Sequence, residues 1–160
     1  MRHVEVCARV SAMRPITIFD TLADFERYAE LVNVVRSVNV DHRADGNASS
    51  SWEVEFRGGL LRWVEENSFD RDRLRLDFKQ IEGDFADFYG SWLIEPDGED
   101  VNVTLMIDFD FGIPSLARLV EPVAERVLTD VTREILLGLF GDNVRLPEPV
   151  AVPSRQNITS

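Results

Sequence analysis

Two polar residues interrupt a strand-like segment that otherwise carries large apolar side chains. Alternate positions of residues 60–69 share one face of a strand, and Trp63 and Phe69 lie on the same such face. Glu65 and Asn67 stand between them on that face. If the aromatic rings face the core, the two polar side chains point inward as well. A buried carboxyl has a raised pKa that suits acid/base chemistry on an enolisable ketone, and an amide can hydrogen-bond a carbonyl oxygen.

The opposite phase of this strand is the alternative. It would leave Glu65 in solvent and turn Arg62 and Glu66 inward or toward an edge. The assignment of Glu65 and Asn67 as candidate catalytic residues therefore depends on which face of the strand is buried.

Large apolar side chains recur in the other strand-like segments. Their simplest role is core packing, but their ring faces also suit a flat polycyclic or quinone ligand, and tyrosines can present hydroxyl groups to it. The candidate substrate-binding residues are Trp63, Phe69, Phe78, Phe85, Phe88, Tyr89, Trp92 and Tyr28.

The composition is that of an acidic globular protein. The chain has 160 residues, 44% of them hydrophobic, and a formal net charge of −12. This length fits one domain with a full core. The negative charge argues against nucleic-acid partners and anionic membranes, because both repel a protein of this charge.

The sequence offers little to bind a metal or a cofactor. Cys7 is the single cysteine, and His3 and His42 are the two histidines, so neither a disulfide nor a multi-histidine site is expected. Asp108 and Asp110 can share a strand face, but nothing else supports a cation there. We expect no metal and no cofactor. No apolar run is long enough to span a membrane, and the N-terminus lacks the apolar segment of a signal peptide, so we predict a cytoplasmic protein.

Periodicity and turn residues predict the order of the elements. Residues 2–10 alternate as a strand, and two short helices follow between residues 15 and 32, with Asp24 as the N-cap of the second. Further strands are predicted at 34–40, 51–56, 60–69, 73–80, 85–95 and 100–111. A helical stripe of apolar residues runs from 115 to 141, where Gly141 can end it, and Pro122 either kinks this helix or separates its first turn.

This order predicts an α+β fold. Short connections between the strands favour a seven-stranded antiparallel sheet that curls around the long C-terminal helix, with the two short helices closing one end. The arrangement leaves a cavity between sheet and helix for a hydrophobic small molecule. We predict a single domain over residues 1–142 and a flexible, proline-containing tail over residues 143–160.

Three segments carry a family likeness. Residues 15–28, with Phe19-Asp20 and Tyr28, resemble the opening helix pair of the START-like (SRPBCC) superfamily, which has the helix-grip fold. Residues 82–92 resemble the Asp-Gly-Pro-Phe-x-x-Leu-x-Gly-x-Trp stretch of its polyketide cyclase / coenzyme Q-binding branch, with Asp84 in place of the proline. Residues 107–111 are similar to the last strand of that branch.

The resemblance implies several functions. Members of this branch include aromatase/cyclases that fold and dehydrate poly-β-ketone chains on an acyl carrier protein. They also include quinone- or lipid-binding chaperones and ribosome-associated proteins. A fold alone does not choose among these functions, so the site residues must.

The site residues depart from the bacterial aromatase/cyclases that the sequence resembles. The pocket tyrosine of those enzymes falls near Val35, which cannot donate a proton. Their Trp-x-Trp-x-x-x-Arg strand pattern falls on residues 61–67, where Trp63 matches but Asn67 replaces the arginine. Arg36 follows the position of the missing tyrosine and is a candidate catalytic residue at the cavity mouth, although such an arginine commonly pairs with surface carboxylates.

Two functions follow as alternatives. In the first, the protein is a polyketide cyclase-like enzyme that promotes aldol closure and dehydration of a bound poly-ketone. In the second, it is a non-catalytic carrier or chaperone for a quinone, a lipid or a finished polyketide. The sequence leaves open whether the protein is an enzyme. The expected partner is a hydrophobic small molecule, with an acyl carrier protein as a further candidate, and the protein is expected to be a monomer or a homodimer.

Overall fold

The computed structural model describes residues 1–147, except for the side chains of residues 114–118. Within these residues the strands are β1 (Arg2–Val10), β2 (Val35–His42), β3 (Ala48–Phe56), β4 (Gly59–Asp70), β5 (Arg75–Gly83), β6 (Asp87–Asp97), β7 (Asp100–Asp110) and β8 (Val144–Arg145). The α-helices are α1 (Pro15–Ala23), α2 (Tyr28–Leu31) and α3 (Pro114–Phe140). Single turns of 3₁₀ helix join α1 to α2 at Phe25–Arg27 and follow α3 at Gly141–Asn143.

The strands form one antiparallel sheet in the order β2-β3-β4-β5-β6-β7-β1-β8. Consecutive strands from β2 to β7 are neighbours, so this part is a meander joined by hairpins, as the short turns predict. β1 pairs with β7 over its whole length, from Arg2 opposite Phe109 to Val10 opposite Val101. The predicted helix-grip architecture, with a curled antiparallel sheet and a long C-terminal helix, is confirmed.

The predicted number of strands is wrong by one. The structure has an eighth strand, β8, which pairs with β1 through Val10 opposite Val144 and Arg9 opposite Arg145. β1 would otherwise end the sheet with unpaired backbone groups, and Val144 also buries its side chain there. β8 lies inside the stretch predicted as tail, and the remainder of that stretch from residue 148 lies outside the described residues.

Alternation builds the inner face of the sheet. In β1 the even-numbered residues Val4, Val6, Ala8 and Val10 are buried and the residues between them are exposed. Helical periodicity turns the opposing residues of α3 toward this face, among them Ala124, Leu128, Val131, Ile135 and Leu136. The core therefore lies between the inner face of the sheet and α3, with α1 and α2 beside it.

α3 is one continuous helix. Pro122 lies inside it, so the first turn is not a separate helix. Gly141 follows the last helical residue with φ 53°, a left-handed conformation that glycine adopts without a Cβ clash, and this agrees with its predicted place at the helix end.

The predicted N-cap role of Asp24 is wrong. Asp24 does lie between α1 and the 3₁₀ turn, but its side chain makes no capping hydrogen bond. Its backbone N–H instead donates to the Thr21 carbonyl oxygen and closes the end of α1. The chain therefore turns here through backbone hydrogen bonds rather than through the Asp24 carboxylate.

None of the helices in the described residues combines the length and apolar character needed to cross a membrane. The His, Cys, Asp and Glu side chains of the described residues do not gather in any group of three or more that could hold a metal ion.

Candidate functional site

A cavity of about 70 Å³ lies between the inner face of the sheet and α3. Its wall is almost entirely apolar and aromatic. The sheet and the short helices contribute Phe25, Tyr28, Val35, Trp52, Val54, Trp63, Glu65, Phe78, Phe88, Trp92, Leu105 and Ile107. α3 contributes Leu128, Val131, Thr132 and Ile135.

The Glu65 carboxyl is the one acidic group on this wall among the described residues. Only 3% of Glu65 is exposed. Trp63 Nε1 donates a hydrogen bond to Glu65 Oε1 at 2.7 Å, and Asn67 Nδ2 donates to Glu65 Oε2 at 2.8 Å. Each carboxyl oxygen is thus held by one neutral donor from the same strand, two residues away.

A second pair of hydrogen bonds fixes the Asn67 amide. Ser50 Oγ on β3 donates to Asn67 Oδ1 at 2.6 Å, and Trp52 Nε1 donates to Ser50 Oγ at 2.8 Å. The oxygen of the amide is therefore turned toward Ser50 and its nitrogen toward Glu65. The two indole rings, Trp52 and Trp63, are parallel with centroids 5.8 Å apart. This buried network is satisfied throughout, so the carboxyl has one defined position.

The environment of Glu65 changes its acidity. Burial in the apolar cavity raises the pKa of Glu65 to about 7, and the hydrogen bonds from Trp63 and Asn67 oppose this rise only in part. A carboxyl with a pKa in this range is present in both its neutral and its ionised form at neutral pH. It can therefore both accept and donate a proton.

A β-bulge lies next to Glu65. The register of β4 against β5 shifts between Val64 and Glu65. Just before the shift, Gly83 lies opposite Trp63 with φ 151°, and a Cβ at Gly83 would come within 2.5 Å of Trp63 Cβ. Glycine is needed at this close approach of the two strands. The extra residue is Ile81 of β5, between Glu82 opposite Val64 and Gln80 opposite Glu65, so the bulge bends β5 beside this part of the cavity wall.

β4 turns the face that carries Glu65 toward the core, as the first of the two alternatives predicted. Trp63, Glu65 and Asn67 are buried, whereas Arg62 and Glu66 are exposed on the outer face. Asn67, however, does not reach out to a substrate carbonyl, because Ser50 and Glu65 already occupy its oxygen and its nitrogen. Its place in the site is to hold the Glu65 carboxyl.

Arg36 lies away from the cavity, which corrects its predicted place at the mouth. Val35 faces inward and lines the wall, so strand alternation turns Arg36 to the outer face. There Arg36 Nη1 lies 3.0 Å from Glu55 Oε2, with 57% of its side chain exposed. It forms a surface ion pair and is not part of the cavity wall.

The two tyrosines present no hydroxyl to the cavity. Tyr28 places its ring on the wall, but its hydroxyl donates to the Leu22 carbonyl oxygen at 2.5 Å. Burial, together with the negative charge of Glu65, raises the pKa of Tyr28 well above its usual value, so the phenol stays neutral. Tyr89 alternates with the inward-facing Phe88 and therefore lies on the outer face, 41% exposed.

The predicted aromatic residues divide into two groups. Phe78, Phe88 and Trp92 lie on the cavity wall with Trp63. Phe69 and Phe85 lie beside the cavity instead. Phe69 stacks on Phe25 with ring centroids 5.9 Å apart, and Phe85 stacks on Phe88 at 4.6 Å. Each of them thus packs against a ring that does line the cavity, Phe25 or Phe88.

Sequence reasoning missed two polar residues of the site. Ser50 belongs to β3, which begins at Ala48 and not at residue 51 as predicted, and its alternation with Trp52 places both side chains on the buried face. Thr132 lies four residues after Leu128 and three before Ile135, on the apolar stripe of α3, where helical spacing could have placed it on the wall. Its hydroxyl donates to the Leu128 carbonyl oxygen at 2.7 Å.

The fold and the cavity together define a class of protein. An antiparallel sheet curled around one long C-terminal helix, with two short helices after the first strand and an apolar cavity between, is the helix-grip architecture of START-like proteins. The sequence profile of the family described as polyketide cyclase / dehydrase and lipid transport matches residues 12–135. The chain belongs to that family.

Solved structures show the same fold. A protein of Thermus thermophilus is 27% identical, with a TM-score of 0.77 over 86% of this chain and 94% of its own. The Zhui aromatase/cyclase of a Streptomyces species is 23% identical, with a TM-score of 0.72 over 84% of this chain and 91% of its own. A START superfamily protein of Mycobacterium smegmatis is 19% identical, with a TM-score of 0.71 over 86% of this chain and 96% of its own. None of the curated proteins matches the sequence.

Proposed function

We propose that this protein binds a hydrophobic poly-ketone in the cavity and promotes its aldol cyclisation and dehydration, with Glu65 moving the proton. The observation that carries this proposal is a single carboxyl with a pKa of about 7 on a described wall that is otherwise almost entirely apolar. General acid–base catalysis is most efficient when the pKa of the group lies near the working pH. Family membership supports the general kind of reaction.

The reaction can be written with Glu65 returning to its starting state. The carboxylate takes a proton from a methylene between two carbonyl groups. The resulting enolate carbon attacks another carbonyl carbon to form the ring bond, and that carbonyl oxygen receives the proton to become a hydroxyl group. The carboxylate then removes a second α-proton and delivers it to the departing hydroxyl, so one water molecule is lost.

Trp63 and Asn67 serve this chemistry by holding the carboxyl. Their donors fix both oxygens, so the proton is exchanged at one place in the cavity. Orientation of a folded chain against such a group lowers a barrier by up to about 7–11 kcal/mol in well-oriented reactions. Exclusion of water by the apolar wall protects the reactive ketones.

The cavity has to widen when a polycyclic ligand binds. Its volume of about 70 Å³ is well below the roughly 300–1,000 Å³ of most ligand pockets. The wall on the α3 side consists of Leu128, Val131, Thr132 and Ile135, which are held by packing and not by ion pairs. We propose that displacement of these side chains and of α3 makes room for the ligand.

The test of catalysis uses a carrier-bound or surrogate poly-ketone and purified protein. We expect Glu65→Gln to lower the rate of ring formation about 10²–10⁴-fold, because glutamine cannot exchange the proton. Glu66→Gln is the matched control, since Glu66 is the next residue of β4, is exposed, and pairs with Arg43 at 2.8 Å. Wild-type product profiles equal to those without protein would contradict the proposal.

A non-catalytic carrier is the second candidate. Two features of the described wall favour this function. No cationic side chain is present on the wall to polarise a ketone. Val35 lies near the position at which the aromatase/cyclases that the sequence resembles have a tyrosine. A carrier needs the aromatic wall and not the carboxyl. Trp63→Ala should then weaken ligand binding about tenfold or more, whereas Glu65→Gln leaves it within about threefold. Native mass spectrometry of protein from its own host would identify a co-purified quinone, lipid or polyketide.

The remaining parts of the proposal concern partners and location. An acyl carrier protein remains a candidate partner, although the net charge of −12 disfavours docking to an acidic carrier. We also propose that the protein works in the cytoplasm as a monomer or a homodimer.

A further inference from the structure

The described wall of the cavity lacks any group that would balance a negative charge. Among the described residues its wall includes no arginine, lysine or histidine. The hydroxyl of Tyr28 and the indole N–H groups of Trp52 and Trp63 already donate to protein acceptors. The remaining charged group is Glu65 itself, whose two oxygens accept from neutral donors.

We propose that the cavity selects neutral ligands, namely ketones, phenols and quinones, and rejects their carboxylate counterparts, with Glu65 as the specificity-determining residue. The inference rests on the proposed function, because it presumes that the cavity binds a hydrophobic molecule. It goes further by naming the class that binds. Free fatty acids and aromatic acids fall outside that class.

The physical reason has two parts. An anionic ligand loses its hydration on entering an apolar cavity and finds no cation there to compensate. When Glu65 is ionised, the ligand also meets a like charge in a medium of low dielectric constant, where repulsion is much stronger than in water. A neutral ketone avoids both penalties, and it can accept a hydrogen bond when Glu65 carries its proton.

The elements around Glu65 add no competing charge. From the short-helix side Tyr28 faces it, and this phenol is neutral because burial raises its pKa. α3 presents Thr132 with aliphatic side chains, and β5 and β6 present Phe78, Phe88 and Trp92. Any pH dependence of ligand selection near neutrality is therefore assigned to the Glu65 carboxyl.

A matched pair of probes tests the inference. 2-Acetylnaphthalene and 2-naphthoate share the same ring system. The first carries a neutral methyl ketone where the second carries a carboxylate. At about pH 8.5 we expect equilibrium dialysis to show the ketone bound at least about 30-fold more tightly by the wild type. In Glu65→Gln, which preserves shape and removes the charge, the ratio should fall about tenfold, mainly through tighter binding of the carboxylate.

Two controls make the result specific. Glu66→Gln removes an equal charge from the outer face of the same strand and should leave the ratio unchanged. Lowering the pH to about 5.5 should reduce the wild-type ratio, because Glu65 takes up a proton while most of the 2-naphthoate stays ionised. The ratio of Glu65→Gln should not change over the same interval.

The outcomes separate the inference from the function on which it rests. Equal binding of both probes by the wild type overturns the selection of neutral ligands, and a ratio that Glu65→Gln leaves unchanged overturns Glu65 as the specificity-determining residue. In both cases the cavity remains a binding site. Failure of both probes to bind overturns the inference together with the proposed binding function. A circular dichroism spectrum of each variant confirms that it is folded.

Discussion

The Glu65 residue is only 3% exposed and lies in an apolar cavity, so the loss of hydration disfavours its charged form. The two neutral donors offset only part of this desolvation penalty. Perturbed carboxyl groups of this kind concentrate at functional sites, because the shifted pKa is what the chemistry requires. The buried carboxyl therefore supports the role that we propose for Glu65, while its two oxygens satisfy the buried donors of Trp63 and Asn67.

The raised pKa of Glu65 should make the stability of the protein depend on pH. The pKa of Glu65 is raised to about 7 in the folded protein, against 4.5 for an unperturbed glutamate. Between these values the folded state keeps a proton that the unfolded chain has lost. The stabilising contribution of Glu65 is therefore complete below the pKa that it has in the unfolded chain. It is lost as the pH rises through the pKa that it has in the folded protein. A shift of this size corresponds to about 3 kcal/mol.

Urea unfolding of wild type and Glu65→Gln, followed by circular dichroism, measures this contribution. We compare the unfolding free energy of the wild type with that of Glu65→Gln. Between about pH 4.5 and pH 8.5 the wild type should lose about 3 kcal/mol of stability relative to the variant. Glu66→Gln should show no such step, because its side chain is exposed. A difference that stays flat would mean that the pKa of Glu65 is not shifted by folding, and a wild type that gains stability with rising pH would mean that the pKa is lowered; either result contradicts the prediction.

At the level of elements, Gly90 lies where neighbouring strands and an aromatic ring approach closely. Gly90 in β6 alternates with Phe88 and Trp92 and pairs with Phe78 of β5. A Cβ at Gly90 would overlap the Met106 carbonyl oxygen of β7 and come within 2.6 Å of Phe78 Cζ. The missing side chain lets the Phe78 ring lie across the strand and take its place on the cavity wall.

We therefore predict that Gly90→Ala destabilises the protein by about 1–3 kcal/mol, as overpacked core substitutions do. Ligand affinity should fall as well, because Phe78 must move. Gly59→Ala is the matched control, since a Cβ there would lie at an ordinary van der Waals distance, 3.7 Å, from the Phe56 carbonyl oxygen. Thermal unfolding and dialysis of both variants decide the question, and equal effects at the two glycines would contradict this account of the wall.

On the scale of the whole molecule, charge repulsion competes with surface ion pairs. The outer face carries exposed pairs such as Arg9 with Asp97 at 2.9 Å and with Asp100 at 3.0 Å. Exposed pairs of this kind contribute about 0–1 kcal/mol each. The net charge of −12 acts on the entire folded chain, and compaction brings those charges closer together.

Repulsion should dominate at low ionic strength. We predict that the melting temperature rises by a few degrees between about 20 mM and about 300 mM sodium chloride, because salt screens the net charge more than it weakens the ion pairs. The same experiment with potassium chloride tests whether the effect is one of ionic strength. A falling melting temperature would mean that the ion pairs outweigh the repulsion.

Most of the fold could be predicted from the sequence. Alternation in β4 indicated that Glu65 shares a face with Trp63, and the apolar stripe of α3 indicated a helix over nearly its observed length. These patterns are local, since the side chains of a strand alternate and those of a helix recur whatever lies opposite them. β8 was missed because two residues are too few for a pattern, and only the edge of β1 makes them a strand.

The sequence by itself determined that a carboxyl would stand on a strand face with two aromatic rings. Tertiary structure alone decided what that carboxyl could do. Its surroundings come from Ser50, 17 residues from Asn67, from the register shift beside Gly83, and from the helix wall at Thr132. The small cavity volume and the shifted pKa arise from these distant groups, because desolvation and packing depend on everything that closes around a side chain and not on its neighbours in the chain.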